Sequence, residues 1–454
     1  MSEPNGYLLE EYVKLAEQFN RIEPALYEKY NVKRGLRNAD GTGVLVGLTE
    51  IGDVHGYIID EGEKVSVEGR LIYRGYDIRS IVEDLARDHR FGFEEVCYLL
   101  LLGNLPDAEQ LERFKAYLGV RRELPNNFTE DMILKAPSPD IMNKLARSVL
   151  ASYSYDSNPE DRSIANILRQ CIELIARFPT MVAYAYQAKR HYYDKESLFL
   201  HAPQRELSTA ENFLYMTRPD KSYTRLEAEL LDLALVLHAE HGGGNNSAFA
   251  VHLISSADTD TYSAIAAGVG SLKGARHGGA NIKVMNMMDD IKTAVKDWGD
   301  EEEVGAYLRK IIRKEAFDGT GLVYGLGHAV YTLSDPRAIL LKDKAKELAE
   351  AKGVMEEFAL YDLIERIGPD IFRQEKNSDK PIAANVDFYS GFVYSMLNIP
   401  PVLYTPIFAV SRISGWCAHR IEEIVSGGRI IRPAYKSVFP RRDYIPLKDR
   451  VPNS

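Results

Sequence analysis

A chain of 454 residues is long enough for two or three domains and a large buried core. Its net charge of −10 leaves no basic surplus to neutralise phosphates, which excludes a general nucleic-acid binder but not a local pocket for a small anion. The balance of 45% hydrophobic and 27% charged residues is the one expected of a soluble globular protein.

Residues 7–30 read as a helix, with Leu9, Tyr12, Leu15, Ala16 and Phe19 at apolar positions. Residues 41–74 carry glycines and partial alternation through Val65, Val67, Leu71 and Tyr73, the only strong β signal in the chain. From Asp77 the pattern is almost wholly helical, over residues 78–89, 93–102, 107–118, 140–149, 165–190, 211–219 and 224–237. Pro179 is expected to divide or kink the long stretch 165–190. Further helices are expected within 262–291 and over 301–315, 335–352, 355–367, 385–398 and 406–425, before an irregular tail from Gly427. Cys97, Cys171 and Cys417 have neither metal nor redox spacing, which fits a reducing compartment. Residues 1–11 lack a basic n-region or an Arg-rich presequence, and the apolar run 96–102 is far too short to span a bilayer. A cytoplasmic protein with no membrane partner is the expectation.

Five stretches carry possible chemistry. In Gly274-Ala275-Arg276-His277-Gly278-Gly279-Ala280-Asn281 a histidine is wedged among small residues. The glycines there permit close approach or positive φ, and Asn281 could cap or orient the next helix. This is either a helix corner with a core histidine or a catalytic site. In His238-Ala239-Glu240-His241, followed by Gly242-Gly243-Gly244, two histidines end a helix. Metal spacing of the HExxH kind is missing, so a capped helix end with one buried histidine is the simpler reading. A glycine-rich loop from Gly319 delivers His328, and Arg337 comes next at a helix start. Asp387, among apolar and aromatic residues, is either an N-cap or a carboxylate of raised pKa. Finally Arg412, Arg420, Arg429 and Arg432 lie near Trp416 and His419; surface solvation would explain most of them, and a buried guanidinium fork for a carboxylate one or two. Imidazoles, one aspartate and several arginines together suit a polycarboxylate substrate. No nucleophile elbow is present.

The segments 274–281, 325–330 and 385–391, in this order and spacing, resemble the citrate synthase family, clearly over about residues 230–435. The resemblance implies a mainly α fold. A large helical domain, 1–279 with 391–454 returning to it, and a smaller one, 280–390, would flank an active-site cleft, with a little β near the N-terminus. It implies an acyltransferase that condenses acetyl-CoA with oxaloacetate through an enol and citryl-CoA. His277 would then donate to the thioester oxygen, Asp387 remove the methyl proton, and His328 polarise the ketone. His241, Arg337, Arg412 and Arg432 would hold oxaloacetate, the last across a homodimer interface. Leu322, Val323, Tyr324, Gly325, Leu326 and Gly327 would receive coenzyme A through their backbone, with Lys380 and Asn385 as further contacts. No metal and no permanently bound cofactor are implied. The alternatives are a 2-methylcitrate synthase using propionyl-CoA, a citryl-CoA lyase, and a non-catalytic relative; the full set of site residues argues against the last.

Overall fold

The computed structural model describes residues 5–38 and 41–450. Among them are seventeen α-helices and one three-stranded antiparallel sheet, so the chain is mainly α with a small β element near its N-terminus. The first helices are α1 (Asn5–Phe19) and α2 (Pro24–Lys29). The single helix expected over 7–30 is thus broken, because Pro24 lacks the N–H that a helix interior needs and instead opens α2.

Strands β1 (Gly52–Asp60), β2 (Glu63–Tyr73) and β3 (Tyr76–Asp77) come next in the order β1-β2-β3. Asp60 pairs with Glu63, and both intervening residues, Glu61 and Gly62, have positive φ, the geometry of a tight two-residue hairpin turn. The ladder slips between His55 and Tyr57. There Gly56 lies so close to another segment that an added Cβ would stand 2.6 Å from the carbonyl oxygen of Val330. The hairpin therefore backs directly onto the loop just after His328.

The helices then run in sequence: α3 (Ile78–Arg87), α4 (Phe93–Leu102), α5 (Ala108–Gly119), α6 (Ile141–Ser152), α7 (Ile164–Tyr192), α8 (Thr209–Thr217) and α9 (Arg225–His238). Their starts are chemically marked. Reciprocal capping boxes, Asp107 with Gln110, Ser208 with Glu211 and Thr224 with Glu227, satisfy the orphan N–H groups of α5, α8 and α9. Helix α7 runs unbroken through Pro179, which is itself buried; packing on the core outweighs the lost hydrogen bond.

Next come α10 (Asn246–Ser255), α11 (Thr261–Lys273), α12 (Ala280–Ala294), α13 (Glu301–Ile312), α14 (Pro336–Lys352), α15 (Met355–Lys376), α16 (Val386–Met396) and α17 (Tyr404–Val425). Helix α10 is absent from the sequence reading, because the glycine run before it looks like the start of a long loop; the Asn245 side chain caps it. Helix α15 outruns its expected end, carried past Pro369 by the buried Ile371. The tail beyond Gly427 is irregular apart from one 3-10 turn at Leu447–Asp449.

The core centres on α7 and α17. From Tyr404 to Arg420 nearly every side chain of α17 is buried, including Leu-sized and larger groups such as Ile407, Ile413 and Trp416. Each such apolar side chain contributes roughly 1.5–3 kcal/mol on burial. A helix enclosed on all sides can carry a charge only at a cost. Arg412, His419 and Arg420 on α17 are nonetheless buried. Among the described residues no helix is long and apolar enough to cross a membrane.

Candidate active site

His277 sits in the turn between α11 and α12, its backbone N–H donating to the Gly274 carbonyl at 2.8 Å. The glycines act here through space, not through positive φ. Gly274 has φ −59° and Gly279 φ −95°. A Cβ on Gly278, however, would lie 2.2 Å from the Leu272 carbonyl oxygen. Asn281 does not cap α12 either; Gly279 holds that position, and Asn281 is buried in the first turn. The His277 Nε2 is 3.1 Å from the Ser247 hydroxyl, which accepts the Trp416 indole N–H at 3.0 Å. If the hydroxyl proton goes to Nε2, the other ring nitrogen, Nδ1, keeps its hydrogen as a donor. Burial, and next the Arg412 charge, lower the His277 pKa to about 4, so the ring is neutral. Nothing in the sequence marks Ser247 and Trp416 as partners of His277.

His328 has a defined tautomer. Its Nδ1 accepts two backbone N–H groups, from Val330 at 3.1 Å and Tyr331 at 3.0 Å. The remaining hydrogen is therefore on Nε2, which is left as a donor. The ring stacks on Tyr331 at 4.8 Å and meets the His241 ring edge-on at 5.3 Å. Burial, and then Arg337, lower its pKa to about 4. His241 is held well below its usual range by burial and by Arg337, and its Nε2 is buried with no hydrogen-bond partner. It is preceded by Glu240, whose carboxylate is paired with the buried His419 at 3.0 Å.

Two buried arginines complete the constellation, and they differ. Arg337 is neutralised by Asp335 through two bonds, Nε to Oδ1 at 3.0 Å and Nη2 to Oδ2 at 2.8 Å. Asp335 also accepts the Val386 backbone N–H at 3.2 Å, at the start of α16. Arg412 uses only Nε, donating to the His238 carbonyl at 2.6 Å, while both terminal nitrogens are buried without partners. Burial pushes its pKa down to about 10. A buried guanidinium with an empty fork is a receptor for a carboxylate.

Asp387 lies in the first turn of α16, but Asn385 is the cap, accepting the Asp387 N–H at 2.9 Å. The Asp387 carboxylate takes no hydrogen bond among the described residues. Burial raises its pKa to about 6 against the lowering fields of Arg337 and Arg412. The field of Arg412 reaches His241, His277 and Asp387, and that of Arg337 reaches His241, His328 and Asp387, so the two cations act on all four. The assembly holds one carboxyl of raised pKa, three neutral imidazoles and a buried guanidinium whose terminal nitrogens have no partner among the described residues.

The loop Leu322 to Gly327 is tied by its backbone to the segment before α16. Gly327 N–H donates to Ala383, Asn385 N–H to Gly325, and the Asn385 amide to Gly327 at 2.9 Å. Leu322 and Lys380 are exposed. Arg432 is exposed in the C-terminal tail and is not brought to the cluster by its own chain.

The family described as citrate synthase, C-terminal domain, matches residues 38–434. A citrate synthase of Haloferax volcanii is 36% identical over 425 residues, covering 92% of this chain and 99% of that protein. A 2-methylcitrate synthase of Shewanella oneidensis is 32% identical over 392 residues, covering 85% and 94%. Among solved structures, the citrate synthase of Thermoplasma acidophilum in ternary complex with carboxymethyl coenzyme A and oxaloacetate superposes with a TM-score of 0.74 at 26% identity, covering 92% of this chain and 99% of that one. With the match spanning most of the chain in both sequence and fold, this protein belongs to the citrate synthase family.

Proposed function

We propose that the chain condenses acetyl-CoA with oxaloacetate to give citrate and free coenzyme A. The observation that carries this reading is the Arg412 guanidinium, its terminal nitrogens buried without partners and its field reaching His241, whose Nε2 is likewise buried and unpaired. A diacid fills both: its carboxylates engage Arg412 and Arg337, and its ketone oxygen receives the Nε2–H of His328. Asp387, ionised above about pH 6, takes a proton from the thioester methyl. The developing enolate oxygen is met by His277, whose neutral ring donates as an oxyanion-hole group does. The enol carbon attacks the ketone carbon while His328 protonates the new alkoxide. Water then cleaves the citryl thioester. Coenzyme A enters as substrate and leaves as product.

Residues 280–390 form the smaller unit in this scheme and close over the substrates, since the enol and citryl-CoA must be kept from bulk water until the bond has formed. Leu322 to Gly327, with Asn385 and Lys380, receive coenzyme A. A homodimer is supported by the tail, where Tyr435, Tyr444 and Leu447 are 95%, 82% and 76% exposed, more apolar surface than an isolated chain favours. Arg432 lies in that tail and would complete the partner's oxaloacetate site. The three free, buried cysteines suit a cytoplasmic setting.

Thiol release from acetyl-CoA and oxaloacetate, without nucleotide, tests the proposal. Failure with citryl-CoA cleavage intact would favour a lyase. The match to a 2-methylcitrate synthase makes propionyl-CoA the second acyl donor to measure. One methylene in an apolar pocket is worth only about 1–3 kcal/mol, so comparison of kcat/KM for the two thioesters decides between them.

A further inference from the structure

Outside the substrate cluster, α10 and α17 bring two histidines face to face. His252 Nε2 lies 3.0 Å from His419 Nδ1. The outer nitrogen of each ring is held by a carboxylate: His252 Nδ1 by Glu423 at 3.3 Å and His419 Nε2 by Glu240 at 3.0 Å. A third carboxylate approaches the inner nitrogens. Glu422 anchors one oxygen on the Glu50 backbone N–H at 2.8 Å. Its other oxygen is buried without a hydrogen-bond partner, 3.8 Å from His419 Nδ1. One donor atom from each of His252, His419 and Glu422 falls within 4.8 Å of the other two.

We propose that His252, His419 and Glu422 bind a divalent ion of the zinc class, with Glu423 and Glu240 orienting the two rings. A carboxylate on the far N–H of a ligating imidazole is the usual outer partner in histidine metal sites, because it fixes the tautomer and raises ligand basicity. Here both rings have one. With the outer nitrogens donating, two lone pairs face each other at 3.0 Å, an arrangement that a cation between them would satisfy. Tetrahedral coordination at ordinary zinc–nitrogen lengths sets the two nitrogens about 3.3 Å apart, a movement of a few tenths of an ångström. Two imidazoles and one carboxylate suit zinc, cobalt or nickel better than the oxygen-seeking magnesium or calcium.

Charge points the same way. Three carboxylates, those of Glu240, Glu422 and Glu423, meet at this cluster. A dication held between the rings offsets that concentration of negative charge. The site is reachable: the side chains of His252 and Glu422 each keep 14% exposure, whereas His419 is fully enclosed. Gly243 leaves room alongside, since a Cβ there would crowd His419 Cε1 at 3.4 Å. The ion would pin α10, which carries Ser247, to α17, which carries Arg412 and Trp416. Its role is to hold the catalytic framework, not to react.

The test uses the full-length protein after chelator treatment, titrated with Co²⁺ by visible absorption and with Zn²⁺ by calorimetry. One ion per chain and a rise in Tm are expected. His252→Ala and Glu422→Gln should each abolish both, and Glu423→Gln should weaken binding on the order of 10–100-fold. Circular dichroism shows that the variants fold. Absence of binding by the parent protein, as two rings merely sharing a proton would give, overturns the proposal. So does cobalt binding that survives in His252→Ala.

Discussion

Replacing Arg412 with Leu separates a group kept for stability from one kept for a ligand. Two terminal guanidinium nitrogens are buried without partners, so the fold draws no hydrogen bond from them. Burial depresses the Arg412 pKa to about 10, a shift on the order of 3 kcal/mol against keeping the charge inside. The variant loses one bond, Nε to the His238 carbonyl at 2.6 Å, and leaves that acceptor unpaired at a cost of about 1–3 kcal/mol. These terms nearly cancel, so Tm should change little or rise. Activity should not survive. Two charge-assisted hydrogen bonds to a substrate carboxylate are worth about 1.5–3 kcal/mol each, so kcat/KM for oxaloacetate should fall ~10²–10⁴-fold. Thiol-release kinetics and differential scanning calorimetry with and without oxaloacetate provide the readout. A variant that melts several degrees lower, keeps kcat/KM within tenfold of the parent and is still stabilised by oxaloacetate would refute the assignment of Arg412 as the receptor.

With its pKa near 6, Asp387 must lose its proton to act as base, so kcat/KM should fall about tenfold per unit below pH 6. His277 and His328, neutral down to about pH 4, add no limb in that window; a flat profile from pH 7 to 5 would rule out Asp387 as the base. Because this pKa is raised in the fold, the ionised carboxylate costs stability above pH 6 and the cost fades as pH falls. Asp387→Asn should therefore melt above the parent at pH 8, with the gap narrowing toward pH 4, while turnover is lost. Trp416→Phe removes the indole N–H from Ser247 and loosens the His277 tautomer. It should lower kcat by roughly tenfold, one bond of about 1–1.5 kcal/mol, with KM for oxaloacetate nearly unchanged; an unchanged kcat would remove Trp416 from the relay. At Gly69 a Cβ would stand 2.1 Å from the Ser334 carbonyl oxygen. Gly69→Ala should displace the segment leading to Arg337, lowering Tm and raising KM for oxaloacetate, and equal values for variant and parent would contradict the close approach.

Much of the helical frame is readable locally, because its signals are local. Asp107 and Asp140 mark helix starts by their own chemistry, and the glycines about His277 announce a tight corner. The tertiary partners are not readable. Ser247 and Trp416 reach His277 from separate helices, and nothing in the spacing of these residues predicts that one hydroxyl links them. Sequence also cannot distinguish Arg412, sealed in α17, from Arg432, exposed in the tail; the difference lies in what packs around each. Helix α10 escapes a local reading for a related reason. Its glycine-rich approach resembles a loop, and only the burial of Ala248 and Val251 makes the helix worthwhile.

The buried Asp335 carboxylate joins two tasks that enzymes often keep apart. It clasps Arg337 and, with the same oxygen that meets the guanidinium, receives the first N–H of the helix bearing Asp387. A ligand that draws Arg337 toward itself therefore tugs on the seat of the proton acceptor. Under the proposed reaction, the seat of the diacid and the seat of the proton acceptor would thus share one side chain as their common anchor.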